Sequence, residues 1–221
     1  MTGQRLLLVL LAVATLGATA MVTLVTLARS GEQPILEGGA EKPDPQFHVP
    51  DFTLTDQFNQ PYGTEQLAGK VWIVDFIFTR CTATCPRMTH GMVDLQNQLR
   101  NHPRRDDIRL VSISVDPSHD TPEVLHAYAE SYGADGDMWR LLTGDRQEIW
   151  KLVGQGFRET VYDNIENTAM PIGHSSNFIL IDRQQRIRGY FSGIDSGLPD
   201  GSVHPHERDL LLKKLDQVLA E

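Results

Sequence analysis

Two thiols carry the most specific chemistry this chain can offer. Cys81 and Cys85 are the only cysteines in 221 residues. They stand in Thr79-Arg80-Cys81-Thr82-Ala83-Thr84-Cys85-Pro86, directly after the apolar run Val71-Trp72-Ile73-Val74-Asp75-Phe76-Ile77-Phe78. Thiols paired this closely at the exit of a buried strand can share a soft metal ion or exchange electrons as dithiol and disulfide. A purely structural disulfide is a weaker reading, because closing so small a ring removes little entropy from the unfolded chain. Pro86 suits a first helical turn, which makes Cys85 the expected N-cap. Its sulfur would then face unpaired backbone N–H groups and the positive end of the helix dipole, where a thiolate is favoured.

The elements that must position these sulfurs follow from periodicity. Residues 52–55 alternate as a short strand, 71–78 form a nearly continuous apolar strand, and 108–115 are rich in β-branched residues. Pro86 to Leu99 is expected to be helical, with Met88, Met92, Leu95 and Leu99 on its apolar face. A helix from Thr121 to Tyr132 ends at Gly133, a strand runs near Met138 to Leu142, and a helix covers Arg146 to Val153. A strand over 176–182 turns through Arg183-Gln184-Gln185-Arg186 into a second strand over 187–191. The last helix, His206 to Leu219, is expected to bury Leu210, Leu211, Leu215 and Leu219. Alternating strands and helices with a terminal hairpin imply a three-layer α/β domain with a mixed sheet.

Upstream, Leu6 to Ala28 is 23 residues without a charged side chain. As a helix this is about 35 Å long, enough to cross a hydrocarbon core of about 30 Å. Ala18-Thr19-Ala20 imitates a signal-peptide cleavage site, but apolar sequence continues past it to Ala28, which favours an uncleaved anchor over 1–29. No cysteine lies near it to carry a lipid. Residues 30–46, rich in Gly, Pro and charge, read as a flexible linker, leaving 47–221 as one domain. The chain holds 20 Lys+Arg and 29 Asp+Glu, and residues 1–29 contain two Arg and no acid, so the remainder carries 18 − 29 = −11. A surface of that sign argues against nucleic acid as a partner. The expected location is the bacterial inner membrane, single-pass, with the body on the periplasmic side.

The combination Phe78-Thr79-Arg80-Cys81-x-x-x-Cys85-Pro86, Ser114-Val115-Asp116-Pro117 with Asp120-Thr121-Pro122, and Gly173-His174-Ser175 before a strand ending at Asp182 resembles the Sco/SenC family. The resemblance covers about residues 47 to 219. It implies a thioredoxin-like fold and a membrane-tethered copper chaperone that serves the binuclear copper centre of cytochrome c oxidase. The partner it implies is the copper-bearing oxidase subunit or another cuproprotein. The family's copper ligands fall here on Cys81, Cys85 and His174. Many members have Pro after the first cysteine where this chain has Thr82, a change that alters loop stiffness and removes no ligand. Two thiolates and an imidazole suit Cu(I), and an added water or weak ligand would let Cu(II) be held. Structural zinc usually takes a fourth protein ligand, and none is evident.

Other residues compete less well. Asp116 could orient a ligand or tune a thiol from behind, although Asp-Pro also simply starts turns. Asp75 is costly inside an apolar strand unless it meets a positive group or points out at a sheet edge. His204-Pro205-His206 reads as a solvated turn, and Met88 and Met92 as core. The competing function is a metal-free thiol-disulfide oxidoreductase that acts on partner cysteines through a mixed disulfide. Such enzymes usually carry C-x-x-C and have no need of His174. A peroxidase would require Pro and Thr seven and three residues before the attacking cysteine; Val74 and Phe78 hold those places for Cys81, and Phe78 and Thr82 for Cys85.

Overall fold

The computed structural model describes residues 47–82, 84–164, 171–194 and 207–221. In chain order the strands and helices are β1 (Thr53–Asp56), β2 (Pro61–Gly63), β3 (Val71–Ile77), α1 (Cys85–Leu99), β4 (Ile108–Ser114), α2 (Pro122–Tyr132), β5 (Trp139–Thr143), α3 (Arg146–Lys151), β6 (Val161–Asp163), β7 (Ile172–His174), β8 (Asn177–Ile181), β9 (Ile187–Ser192) and α4 (Glu207–Ala220). A seven-stranded sheet runs β2-β1-β5-β4-β3-β8-β9. Its centre, β3 beside β4 beside β5, is parallel, while β8 and β9 on one side and β1 and β2 on the other run antiparallel. This is the mixed α/β sheet that the sequence predicts.

Burial explains the order. All seven residues of β3 are buried, as a central strand covered on both faces requires. Trp72 and Phe76 meet Phe157 edge-on at 6.0 and 5.4 Å on one face. On the other, the Phe178 ring lies so close to Gly91 of α1 that a Cβ there would come within 2.8 Å of it. Parallel pairing sends the chain from the end of β3 through the Cys81–Cys85 loop into α1 and back to β4. Both thiols are thereby fixed at the C-terminal edge of the sheet.

Caps follow the sequence signals at two helices. Thr121 accepts from Val124 N at α2, and Gly133, with φ +66°, closes that helix. Asp145 accepts from Gln147 N and Glu148 N at α3. That helix is α-helical only to Lys151 and continues as a π turn over Leu152–Gly156, so the expected eight-residue helix is shorter. The 183–186 turn is built by Asp182, whose Oδ1 accepts from Gln184 N and Arg186 N at 2.9 Å each.

Three expectations need correction. α1 begins at Cys85 itself, with Thr84 as N-cap and Pro86 following, so Cys85 is the first helical residue rather than the cap. In α4 the buried stripe is Leu211, Leu215, Val218 and Leu219; Leu210 lies about 100° from Leu211 and stays 42% exposed. Asp75 neither meets a cation nor points outward, but lies fully buried in the central strand. The expected anchor and linker, residues 1–46, and the turn at His204 to His206 lie outside the described residues. Among the described residues, no helix is long and apolar enough to cross a membrane.

Candidate metal centre

The loop between β3 and α1 holds its shape through one buried carboxylate. Asp120, which follows β4, accepts from Thr79 N at 3.0 Å, from the Thr79 hydroxyl at 2.6 Å and from the Ser114 hydroxyl at 2.6 Å. His119 Nδ1 adds a fourth contact at 2.9 Å. These bonds fix the residue two before Cys81, and Cys81 N donates to Phe78 O at 3.2 Å to complete the turn. Asp116 contributes beside it: its Oδ2 lies 2.6 Å from Nε of Arg80, the residue preceding Cys81. Asp116 therefore acts on the loop through Arg80, and not as a direct acceptor from a sulfur or imidazole.

On the helix side, the Thr89 hydroxyl donates to Cys85 O at 2.9 Å and meets Tyr128 Oη at 2.7 Å, tying the first turn of α1 to α2. Both cysteines are buried and neither forms a disulfide. Burial pushes the Cys85 thiol far up; a backbone hydrogen bond from Phe78 opposes this, while Cys81 and the Asp75 charge push further up. Desolvation thus favours the neutral thiol at Cys85, against the thiolate expected from its place at the helix start. Asp75 is itself held up to about 7 by burial, with Ser112 Oγ donating to its Oδ1 at 2.6 Å and Oδ2 lacking a partner among the described residues.

His174 closes the arrangement. Its Nε2 lies 3.3 Å from Cys85 Sγ, and its Nδ1 donates to Ser175 O at 2.8 Å. The second bond fixes the tautomer, so the nitrogen that faces the sulfur is the one with the lone pair. The Phe78 ring stands edge-on to the imidazole at 5.7 Å. Burial lowers the pKa of His174 and keeps it neutral, against a smaller opposing effect of the Ser175 carbonyl. Metal–donor bonds of about 2.0–2.3 Å meeting at about 90–120° span an S···N edge of roughly 3.0–3.7 Å, a range that contains this 3.3 Å separation. Among the described residues, no ready-made group of three or more Cys, His, Asp or Glu side chains could hold a metal ion. A Cys81–Cys85–His174 set is therefore not preassembled among the described residues, although His174 already lies against Cys85.

Residues 40–198 match the family model described as SCO1/SenC. The chain belongs to the SCO1/SenC family. The SCO1 protein homolog of Bacillus subtilis is 35% identical over 161 residues, 72% of this chain and 81% of that protein. The solved structure of BsSco, described as a disulfide-switch member of the Sco family of cytochrome c oxidase assembly proteins, is 30% identical with a TM-score of 0.65, over 80% of this chain and 96% of that one. Bradyrhizobium japonicum ScoI, solved with copper bound, has a TM-score of 0.59 at 24% identity, over 76% of this chain and 98% of that one, a likeness of fold.

The sequence picks out Cys81, Cys85 and His174, and the fold brings His174 to Cys85 across 89 positions. It misses Asp120, Thr79 and Ser114 as supports of the loop. The available signal is that Thr79 directly follows the apolar run of β3 and Asp120 precedes a Thr-Pro helix start. Two adjacent parallel strands deliver their C-terminal loops to one place.

Proposed function

We propose that this chain is a membrane-tethered copper chaperone, in which Cys81, Cys85 and His174 hold one copper ion as cargo and pass it to a partner by ligand exchange. The observation that carries this reading is the 3.3 Å approach of His174 Nε2 to Cys85 Sγ, with Nδ1 already committed to Ser175 O. A buried neutral thiol and a lone-pair nitrogen aimed at one another form a donor set in which a soft cation can replace the thiol proton. Two sulfurs with one imidazole suit Cu(I), and a fourth weak ligand would accommodate Cu(II). The partner is the copper-bearing subunit of cytochrome c oxidase or another cuproprotein, in line with the oxidase-assembly role that BsSco's description gives it. Residues 1–29 serve as a single-pass anchor in the bacterial inner membrane, 30–46 as linker and 47–221 as the periplasmic domain.

A second reading, thiol-disulfide exchange on partner cysteines, is favoured by the unjoined dithiol, in which Cys81 is near enough to help raise the Cys85 thiol. The two readings part at His174, which exchange does not need. Metal analysis of the reduced full-length protein after copper loading should give about one copper per chain. Cys81→Ser and Cys85→Ser should abolish retention, and His174→Ala should weaken Cu(II) retention far more than it alters alkylation of the thiols. Equal copper retention in wild type and His174→Ala would remove the histidine from the site and leave the redox reading.

A further inference from the structure

The imidazole half of the site rides on a hairpin that the main sheet does not hold. Among the described residues β6 and β7 pair only with each other, in a register that sets Val161 opposite His174, Tyr162 opposite Gly173 and Asp163 opposite Ile172. A two-stranded ribbon this short has little stability of its own, so the contacts that pin it to the body decide where the imidazole sits: Ile172 is buried in the core with Val161 packed against it, and the rest are polar or half-exposed. At its base, Ser175 N donates to Thr160 O at 3.2 Å and Asn177 Nδ2 to Glu159 Oε1 at 2.9 Å. Farther out, the Arg146 guanidinium of α3 donates to Asp163 while lying over the Trp150 ring at 4.1 Å. Across the ribbon the Tyr162 ring covers Gly173 so closely that a Cβ there would come within 2.3 Å of Tyr162 Cζ. Tyr162 nevertheless stays 52% exposed, so its ring does little for the core and much for its cross-strand partner.

We infer that Arg146, Asp163 and Tyr162 are positioning residues that set how long His174 stays on the copper, while the two cysteines are held independently by the body of the domain. This rests on the ligand set proposed above. Arg146 and Asp163 keep side-chain exposures of 42% and 54%, so their attraction is open to screening by salt and to competition from a charged partner. Loosening the ion pair or removing the ring lets the hairpin move away and leaves a two-sulfur site, which suits hand-over by ligand exchange.

The test uses the full-length protein in detergent, loaded with Cu(II). Release to excess EDTA is followed by loss of sulfur-to-copper charge-transfer absorption. Asp163→Asn and Tyr162→Ala should each speed release about threefold, the scale of a surface ion pair or a cross-strand contact, and together about tenfold. The charge swap Arg146→Asp with Asp163→Arg should restore the wild-type rate to within about twofold. Raising salt should speed release from wild type and leave Asp163→Asn unchanged. In metal-free protein, backbone amides of residues 161–163 and 172–174 should exchange faster in Asp163→Asn. In a His174→Ala background the same substitutions should change nothing. Equal release from wild type and the Asp163→Asn/Tyr162→Ala double variant would overturn the inference, as would the same acceleration in the His174→Ala background. A wild type that retains no copper would overturn the ligand set itself, and this inference with it.

Discussion

The two halves of the proposed copper site are held by different physics. The sulfur half sits at the end of a fully buried central strand and is braced by Asp120, a carboxylate with no exposed surface that takes two bonds from Thr79 and one from Ser114. The imidazole half sits on a three-residue strand paired with another three-residue strand, anchored in the core by Ile172 alone and otherwise pinned by an exposed ion pair and a half-exposed ring. Buried, charge-assisted hydrogen bonds are strong and insensitive to salt, whereas exposed pairs are weak and screened. The contrast gives a site with fixed sulfurs and an adjustable nitrogen, an arrangement suited to taking up and giving away a metal.

The difference can be broken first on its rigid side. Asp120→Ala leaves the Thr79 and Ser114 donors without their acceptor, and we expect a loss of about 3 kcal/mol in urea unfolding, together with faster alkylation of Cys81. A loss near zero would show that the loop does not depend on this carboxylate.

Asp75 sharpens the comparison through pH. Its carboxyl is held up to about 7 from 3.8, so between those values the folded protein keeps a proton that the unfolded chain releases, and stability falls as pH rises through that window. Asp75→Asn removes this slope. It should be more stable than wild type by roughly 1–4 kcal/mol at pH 8 and equal to it near pH 4. A pH-independent difference in thermal unfolding would contradict the assignment.

Packing beneath α1 gives a smaller effect. Gly91→Ala brings a Cβ against Phe178, and we expect about 1–3 kcal/mol of destabilisation, measured as an earlier urea midpoint at unchanged slope. Smallest is Asp116→Asn. Arg80 is half exposed, so the loss should be about 0.5 kcal/mol, with the consequence visible chiefly as faster alkylation of Cys81.

Much of this was legible in the chain because local patterns determined it. The apolar run at 71–78, the Thr-Pro start of α2 with Gly133 after it, and the turn between β8 and β9 each follow from short-range rules that the fold leaves intact. The state of Cys85 was not legible. Helix position argues for a thiolate, but the sulfur's burial beneath the sheet edge, near Asp75, is a property of the assembled domain and reverses the sign. The β6–β7 hairpin escaped notice for a related reason: three-residue strands carry too little periodicity to register. Leu210 was misplaced because five leucines in one helix invite a single stripe, and only packing decides which neighbour faces out.

The central claim, that two sulfurs from the rigid loop and one nitrogen from the hairpin hold the same ion, is tested most directly by X-ray absorption at the copper edge of the loaded full-length protein. We expect a first shell of two sulfurs with one imidazole nitrogen in wild type and loss of the imidazole scattering alone in His174→Ala. A wild-type shell containing sulfur without imidazole, or unchanged by His174→Ala, would contradict it.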